Sequence, residues 1–234
     1  MTELLAAIAA FVLAHVVPPA PPVRARLIGW LGRQVYLAAY SLLSLALIGW
    51  IFAAARRADH VPLWDPAPWQ ALVPIVVMPL ATWLLVAGLA EPNPLSISFL
   101  SAKVEAERDQ KPGPAASVTR HPVLWAFLLW ALSHIPPNGD VVSLILFGGA
   151  AALAGGGLAA MDRRMRRRLG EARWQMLAGA TSLLPFAAIL AGRARLRLSG
   201  RLLITVAAAL GLYAWLLLDG HERLIGLAPL AWLQ

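Results

Sequence analysis

The chain has 234 residues, of which 59% are hydrophobic and only 14% are charged, and its formal net charge is +8. Soluble domains contain about 25% charged residues and fewer apolar ones, so this composition predicts an integral membrane protein. Cysteine is absent, which excludes disulfides, thiolate metal sites, cysteine nucleophiles and covalent c-type haem attachment.

Apolar segments of roughly the length that crosses a bilayer recur along the chain. The first of them lacks a positively charged start, so it is predicted to be a retained span rather than a signal peptide. A weaker stretch, 176–191, contains Gly179 and Pro185 and is predicted to be re-entrant or interfacial. These features predict an all-α, polytopic transmembrane helix bundle. Its six predicted spans are residues 3–17, 35–55, 70–90, 122–136, 141–161 and 201–218.

Lysine and arginine are concentrated in the first, third and fifth connections between these spans. Because positively charged connections remain on the cytoplasmic side, both termini are predicted to be periplasmic. The same bias explains the net charge without a nucleic-acid partner, and the basic residues 161–174 are predicted to bind anionic membrane lipids. The connection 91–120 is predicted to be the main soluble segment and to hold a short surface helix and a linker within residues 101–117.

The five histidines are the side chains best suited to hold a cofactor in this chain. His60 and His221 fall in polar connections and are predicted to be solvated. His15, His121 and His134 lie within or at the ends of apolar segments, where ionisable groups are rare and usually functional. The alternative for each is a neutral imidazole that is hydrogen-bonded within the bundle. Acidic residues fall only at the ends of spans, which disfavours a di-iron carboxylate site and a proton relay.

His121 and His134 stand at opposite ends of one predicted helix. They are separated by about 20 Å along the helix axis and about 140° around it, so they cannot bind the same metal ion. A partner for either must come from another helix, and His15 is the remaining intramembrane histidine. Two histidines from separate helices in a cysteine-free chain suit a b-type haem. Beyond His134, Asn138 and Asp140 are expected to cap the outer turn.

Residues 119–140, TRHPVLWAFLLWALSHIPPNGD, resemble the signature of the NnrU family of bacterial membrane proteins. The resemblance extends through the early His15 and through 181–193, TSLLPFAAILAGR, to essentially the whole chain. It implies one NnrU-type domain over residues 1–234, located in the bacterial inner membrane. NnrU proteins are associated with nitrite and nitric oxide reduction in denitrification.

The NnrU family is similar to the zeta-carotene isomerases, which hold haem b with two histidines and isomerise a polyene. Matched by motif, those metal ligands correspond to His15 and His134. Ala131 stands where the isomerases have a cysteine, so a thiolate ligand switch is unavailable in this chain. The Arg-His-Pro motif also resembles one in membrane methyltransferases and sterol reductases, but the residues from Val123 onward differ from theirs.

Depth in the bilayer favours a different pairing of histidines. In the predicted topology His15 lies near the cytoplasmic face and His134 near the outer face, so His121 is better placed to meet His15. Arg120 and His121 are therefore further candidates for cofactor binding, at the cytoplasmic end of the fourth span. There they would meet a cofactor or a haem propionate.

The expected function is the binding of one haem b in nitrite and nitric oxide metabolism. One alternative is an isomerase-like or redox enzyme that acts on a lipid-soluble polyene or quinone. The other is a non-catalytic assembly or regulatory partner of respiratory nitric oxide and nitrite reductases. The sequence leaves open whether the chain is an enzyme.

Overall fold

The structure is a computed structural model and describes residues 1–100 and 112–233. Helices dominate the described residues, and the backbone bridge between Pro62 and Asp140 is isolated and forms no sheet. The predicted all-α fold is confirmed. The chain forms two compact units, Met1–Pro62 with Asp140–Val142 and Leu63–Gly139 with Ser143–Gln234.

The first unit begins with two helices that meet at a sharp bend. Helix α1 is Thr2–Val16 and helix α2 is Pro21–Leu31, and the bend between them is 81°. Pro18 and Pro19 follow α1 and cannot continue it, because proline lacks the backbone N–H and its ring clashes with the preceding turn. Pro21 is tolerated at the first position of α2, where no N–H is needed. The second helix lies in a stretch that was predicted to be a connection.

Helix α3, Arg33–Arg57, runs antiparallel to α1 and packs against it. At one end Arg57 Nη2 donates to Glu3 Oε1 over 2.6 Å. At the other end the Tyr36 hydroxyl donates to the carbonyl oxygen of Pro18 over 3.2 Å. These contacts fix the two ends of the helix pair within the first unit.

The second unit contains the remaining helices, apart from the first two residues of α7. A π-helical turn, Leu216–Gly220, joins its last two α-helices, and a 3₁₀ turn, Pro229–Leu233, follows them. Of the surface helix and linker predicted within 101–117, residues 101–111 lie outside the described residues. The helices are α4 Pro68–Ala90, α5 Pro114–Val118, α6 Pro122–His134, α7 Val141–Leu169, α8 Glu171–Ala178, α9 Ala187–Leu190, α10 Gly200–Trp215 and α11 His221–Ile225.

Helix α4 organises the second unit by packing against both α6 and α10. The buried core between these helices includes Trp83, Leu84 and Ala126. Gly88 permits the close approach of α6, because a Cβ atom there would lie 2.8 Å from Val123 Cγ2. Any larger residue would push the two helices apart, and such overpacking is destabilising.

In the described part of the chain, four helices are long and apolar enough to cross a membrane by themselves: α3, α4, α7, and α10 continued through α11. Helices α1 and α2 meet the same criterion only as a bent pair. Helix α6 has 13 residues and is about 20 Å long, which is shorter than the hydrocarbon core of ~30 Å. The stretch 176–191 holds only the end of α8 and the four-residue α9, so it does not form a spanning helix.

The turn after α6 is built around Asn138 and Gly139. Asn138 Nδ2 donates to the carbonyl oxygen of His134 over 2.7 Å, which confirms the cap predicted for Asn138. Gly139 is required because a Cβ atom there would lie 2.2 Å from the carbonyl oxygen of Trp64. The Trp64 indole in turn donates to the carbonyl oxygen of Pro136 over 3.0 Å. The end of the helix that carries His134 is therefore rigidly held.

Candidate functional site

His134 is the last residue of α6, and its own helix orients its ring. Nδ1 lies 2.7 Å from the carbonyl oxygen of Trp130, one turn earlier, and the ring packs on Phe147 with a centre-to-centre distance of 5.3 Å. A carbonyl oxygen only accepts hydrogen bonds, so Nδ1 carries the proton of the neutral ring. Nε2 is then an acceptor, and it has no hydrogen-bond partner among the described residues.

His221 begins α11, directly after the π-helical turn. Its Nδ1 lies 2.8 Å from the carbonyl oxygen of Leu216, five residues earlier. Gly220 favours the close packing of this turn, because a Cβ atom there would lie 3.1 Å from three ring atoms of Trp215. The neutral ring of His221 therefore also carries its proton on Nδ1. Its Nε2 is left as an acceptor that no other described residue engages.

The rings of His134 and His221 lie side by side, with their centres 6.4 Å apart and their planes 12° from parallel. Two neutral rings that are both protonated on Nδ1 cannot hydrogen-bond to each other through Nε2. Histidines that bind a metal commonly donate the other ring N–H to a backbone carbonyl, which fixes the tautomer. Both rings have this arrangement.

The two histidines line a cavity of about 190 Å³ whose other walls are mainly apolar. Its polar lining residues include Tyr213, whose hydroxyl donates to the carbonyl oxygen of Ile75 over 2.8 Å, and Asn138, whose amide caps His134. The Tyr213 hydroxyl and one N–H of the Asn138 amide are therefore engaged, and the Nε2 atoms of the two histidines are acceptors. The apolar lining includes Pro74, Met78, Phe147, Leu216 and Leu217.

The two histidines of this cavity are too few to hold a metal ion by themselves. They could bind an ion that receives most of its ligands from a cofactor. Among the described residues, no group of three or more His, Asp or Glu could hold a metal ion. A haem iron would need only one or two ligands from the protein, and a neutral imidazole such as that of His134 could be one of them. The cavity is smaller than the ~300 Å³ at which ligand pockets usually begin, so it would not enclose a whole macrocycle.

At the opposite end of α6, Arg120 and His121 share one carboxylate. Arg120 Nη1 lies 2.5 Å from Oδ2 of Asp162, and His121 Nε2 lies 2.8 Å from Oδ1. Arg120 also donates from Nε to Thr181 Oγ1 over 2.9 Å. Both Arg120 and His121 are buried. The cluster therefore joins the start of α6 to α7 and to the segment that follows α8.

Most polar atoms of Arg120, His121 and Asp162 have partners in the surrounding protein. Burial lowers the pKa of His121 because it disfavours the charged imidazolium, and the neighbouring Asp162 carboxylate opposes that shift. The Arg120 guanidinium lies 5.0 Å from the centre of the Trp174 ring, and Arg166 lies 5.2 Å from it. His121 Nδ1 is buried and has no hydrogen-bond partner within the described chain. In this structure the cluster holds α6, α7 and the segment after α8 together.

A family model described as NnrU protein matches residues 3–229, nearly the whole chain. The chain belongs to the NnrU family. Searches of the curated proteins and of the solved structures give no match. The resemblance carried by residues 119–140 is thus confirmed, and in this NnrU protein its Arg-His-Pro and its second histidine occupy opposite ends of α6.

The residues predicted to bind the cofactor of this NnrU protein fall in three places. His134 lines the cavity, whereas Arg120 and His121 do not. His15 belongs to the first compact unit. Its Nδ1 lies 2.7 Å from a backbone carbonyl one turn earlier, and Ser44 Oγ lies 2.9 Å from its Nε2. Both ring nitrogens of His15 therefore have protein partners, and its pairing with His134 or His121 stays a prediction.

One histidine of the NnrU protein lies where the sequence did not predict it. His221 was predicted to be a solvated loop residue, and this prediction is wrong, because its ring is half-buried and lines the cavity beside His134. His60 is exposed, as predicted. The residues around His221, LDGHERL, are polar enough to resemble a connection, and that local pattern concealed the contact.

Glu91 is a second polar residue whose role the sequence did not reveal. It follows α4 and is only 2% exposed. Its Oε2 accepts a hydrogen bond from the Ala115 N–H over 2.8 Å, and Thr205 Oγ1 lies 3.4 Å from Oε1. Gly113 leaves space for the carboxylate, because a Cβ atom there would lie 2.5 Å from Oε2. Burial raises the pKa of Glu91, although these hydrogen bonds oppose the shift.

Proposed function

We propose that this NnrU protein is a haem protein of nitrite and nitric oxide metabolism in which His134 is an axial ligand of one b-type haem. The observation that carries the proposal is the Nε2 of His134, to which no described residue forms a hydrogen bond. The ring is fixed by Trp130 and Phe147, and it lines an apolar cavity. A neutral imidazole held in this way is suited to bind iron. The family resemblance predicts His15 for the second axial position.

The chain would surround the iron with apolar side chains and with uncharged ligands. Apolar side chains such as Phe147 and Leu217 line the cavity and would exclude water from the ligating nitrogen. The low polarity keeps the imidazole uncharged, since an isolated buried charge is costly. When bound, haem iron would supply one-electron chemistry and could bind a diatomic molecule such as nitric oxide.

The proposed location is the bacterial inner membrane, with both termini periplasmic. The apolar helices and the family support a membrane protein. The direction of insertion rests on the cluster of arginines from 163 to 168 at the end of α7, because basic segments remain cytoplasmic. Anionic lipids on that side would be the first partners of these residues.

A second candidate is an isomerase-like enzyme that acts on a lipid-soluble polyene. The mainly apolar lining of the cavity favours it, because such a lining can hold a hydrocarbon chain without a loss of hydrogen bonds. This enzyme would convert a polyene only when haem is bound. A simple haem carrier or sensor would leave the polyene unchanged.

The absorbance spectrum of detergent-purified protein tests the haem proposal. We expect a Soret band in the wild type, an equal band in the His60→Ala control, and loss of most of the band in His134→Ala. His134→Met serves as a second variant, because methionine keeps an axial ligand and should retain haem with a shifted spectrum. A wild-type protein without a Soret band, or an unchanged band in both His134 variants, contradicts the proposal.

A further inference from the structure

We infer that a basic cavity in the second unit binds the phosphate group of an anionic phospholipid, and that Arg195 and Arg197 are the side chains that hold it. The inference goes beyond the proposed haem binding and does not depend on it. It follows from the lining of the cavity, from the guanidinium groups that face it and from the exposed leucines beside them.

The cavity has a volume of about 540 Å³, which lies within the range of ~300–1,000 Å³ that is usual for ligand pockets. Its walls come from three segments, within 112–117, 180–181 and 192–197. Arg193, Arg195 and Arg197 line it, and no acidic residue of the described chain does. The charge of the lining therefore favours an anion.

The segment that carries the arginines is anchored where it begins. Gly192 has a φ of 69°, which glycine adopts without strain, and it turns the chain after α9. The backbone N–H of Arg193 donates to the carbonyl oxygen of Ala188 over 2.9 Å. Its side chain donates from Nη1 to the carbonyl oxygens of Gly179 and Thr181 over 2.8 and 3.1 Å. Arg193 is therefore a fixed part of the cavity wall.

The next two arginines, Arg195 and Arg197, are available to a ligand. Both are exposed, and neither side chain has an ion-pair or hydrogen-bond partner among the described residues. Their Cα atoms are at most about 7 Å apart, because only two residues of chain separate them. Guanidinium groups bind phosphate oxygens through paired, charge-assisted hydrogen bonds. Two such groups in one cavity can hold the same phosphate from two sides.

The leucines near these arginines indicate that the phosphate belongs to a lipid. Leu196 and Leu198 are 42% and 84% exposed, and Leu190 is 86% exposed. None of the three lines the cavity. At a membrane surface, leucines enter the acyl region while basic side chains stay at the level of the headgroups. A lipid would contact both the arginines and the leucines, whereas a soluble phosphate would contact the arginines alone.

The expected position in the bilayer agrees with an anionic lipid. No spanning helix lies between the arginines 163–168 at the end of α7 and the segment 192–197, since residues 170–191 contain only the short helices α8 and α9. Both basic regions are therefore expected on the cytoplasmic side, where anionic lipids attract basic residues. None of the arginines 163–168 lines the cavity, so the two regions can be tested separately.

The test is native mass spectrometry of the full chain in detergent, titrated with phosphatidylglycerol or with phosphatidylcholine of the same acyl chains. We expect one phosphatidylglycerol per wild-type chain, bound in preference to phosphatidylcholine. Arg195→Gln combined with Arg197→Gln should weaken this binding by about 10–30-fold. Arg164→Gln combined with Arg167→Gln is the matched control, because it removes the same charge from exposed residues outside the cavity. It should change the affinity little.

Three results overturn the inference. The first is equal affinity for the two lipids, and the second is equal affinity of the wild type and the Arg195 and Arg197 double variant. The third is displacement of the lipid by an equal concentration of glycerol phosphate, which would assign the cavity to a soluble phosphate. Should the double variant not fold, Arg197→Gln alone decides: a loss of about fivefold supports the inference, and an unchanged affinity overturns it.

Discussion

The imidazole rings of His134 and His221 lie 6.4 Å apart in nearly parallel planes. Each ring forms its own hydrogen bond to a backbone carbonyl of the same helical segment, across an α turn in one case and a π turn in the other. The tautomer of each ring is therefore set locally. Their separation, by contrast, depends on how the helices of the second unit pack.

Replacement of Gly220 by alanine should disturb the π turn. The new Cβ atom would lie 3.1 Å from the Trp215 ring, so the ring must shift slightly, and we expect a loss of about 1 kcal/mol in unfolding free energy. Gly211→Ala is the matched control in α10, because a Cβ atom there meets open space. Thermal unfolding in detergent should show Gly211→Ala unchanged or slightly more stable. Equal effects of the two variants would show that the π turn is not sterically constrained.

Replacement of Asp162 by asparagine should leave Arg120 and His121 without their shared anion. Removing one partner of a buried ion pair typically costs about 3–5 kcal/mol, and the partial exposure of Asp162 reduces our expectation to about 2–3 kcal/mol. Denaturant unfolding followed by tryptophan fluorescence measures the loss. Asp65→Asn, at an exposed acid, is the control and should change stability little. A small change in unfolding free energy in Asp162→Asn would mean that the cluster does not stabilise the fold.

The raised pKa of Glu91 predicts a pH dependence of stability. Burial keeps the carboxyl protonated in the folded chain at pH values where the unfolded chain, with a pKa near 4.5, has already released its proton. Stability should therefore fall as pH rises from about 4.5 through the raised folded pKa, and then level off. Glu91→Gln should flatten this part of the curve. A wild-type curve that rises with pH over the same window would contradict the assignment.

The proposed topology can be tested cleanly because the chain contains no cysteine. Asp59→Cys and Arg167→Cys each introduce one exposed thiol, after α3 and near the end of α7 respectively. In intact cells with a permeable outer membrane, an impermeant maleimide should label Asp59→Cys but not Arg167→Cys. Arg167→Cys should react only after the inner membrane is disrupted, since its basic segment is expected to be cytoplasmic. The reverse labelling pattern would invert the topology.

The sequence predicted the helices well because hydropathy is a local property. The predicted span 70–90 coincides closely with Pro68–Ala90, and 141–161 lies within Val141–Leu169. Helix α2 was missed because Arg24, Arg26 and flanking prolines resemble a charged connection. Proline can nevertheless begin a helix.

The candidate site was predicted only in part because it depends on contacts between distant residues. His134 was identified from its position at the end of an apolar helix, and the structure places it in a cavity. His221 was missed because neither a π turn nor the packing of α6 with the C-terminal segments has a local signature. A weaker signal was present, since the predicted topology placed His134 and His221 at the same, outer face.

The central claim is that His134 binds the iron of one b-type haem, and the most direct test is a pyridine haemochrome measurement on purified protein. Haem content per chain is compared between the wild type and His134→Ala, both produced with haem precursor supplied. We predict about one b-type haem per wild-type chain and little or none in the variant. A wild-type chain that remains free of haem, or equal haem contents in the two proteins, would contradict the claim.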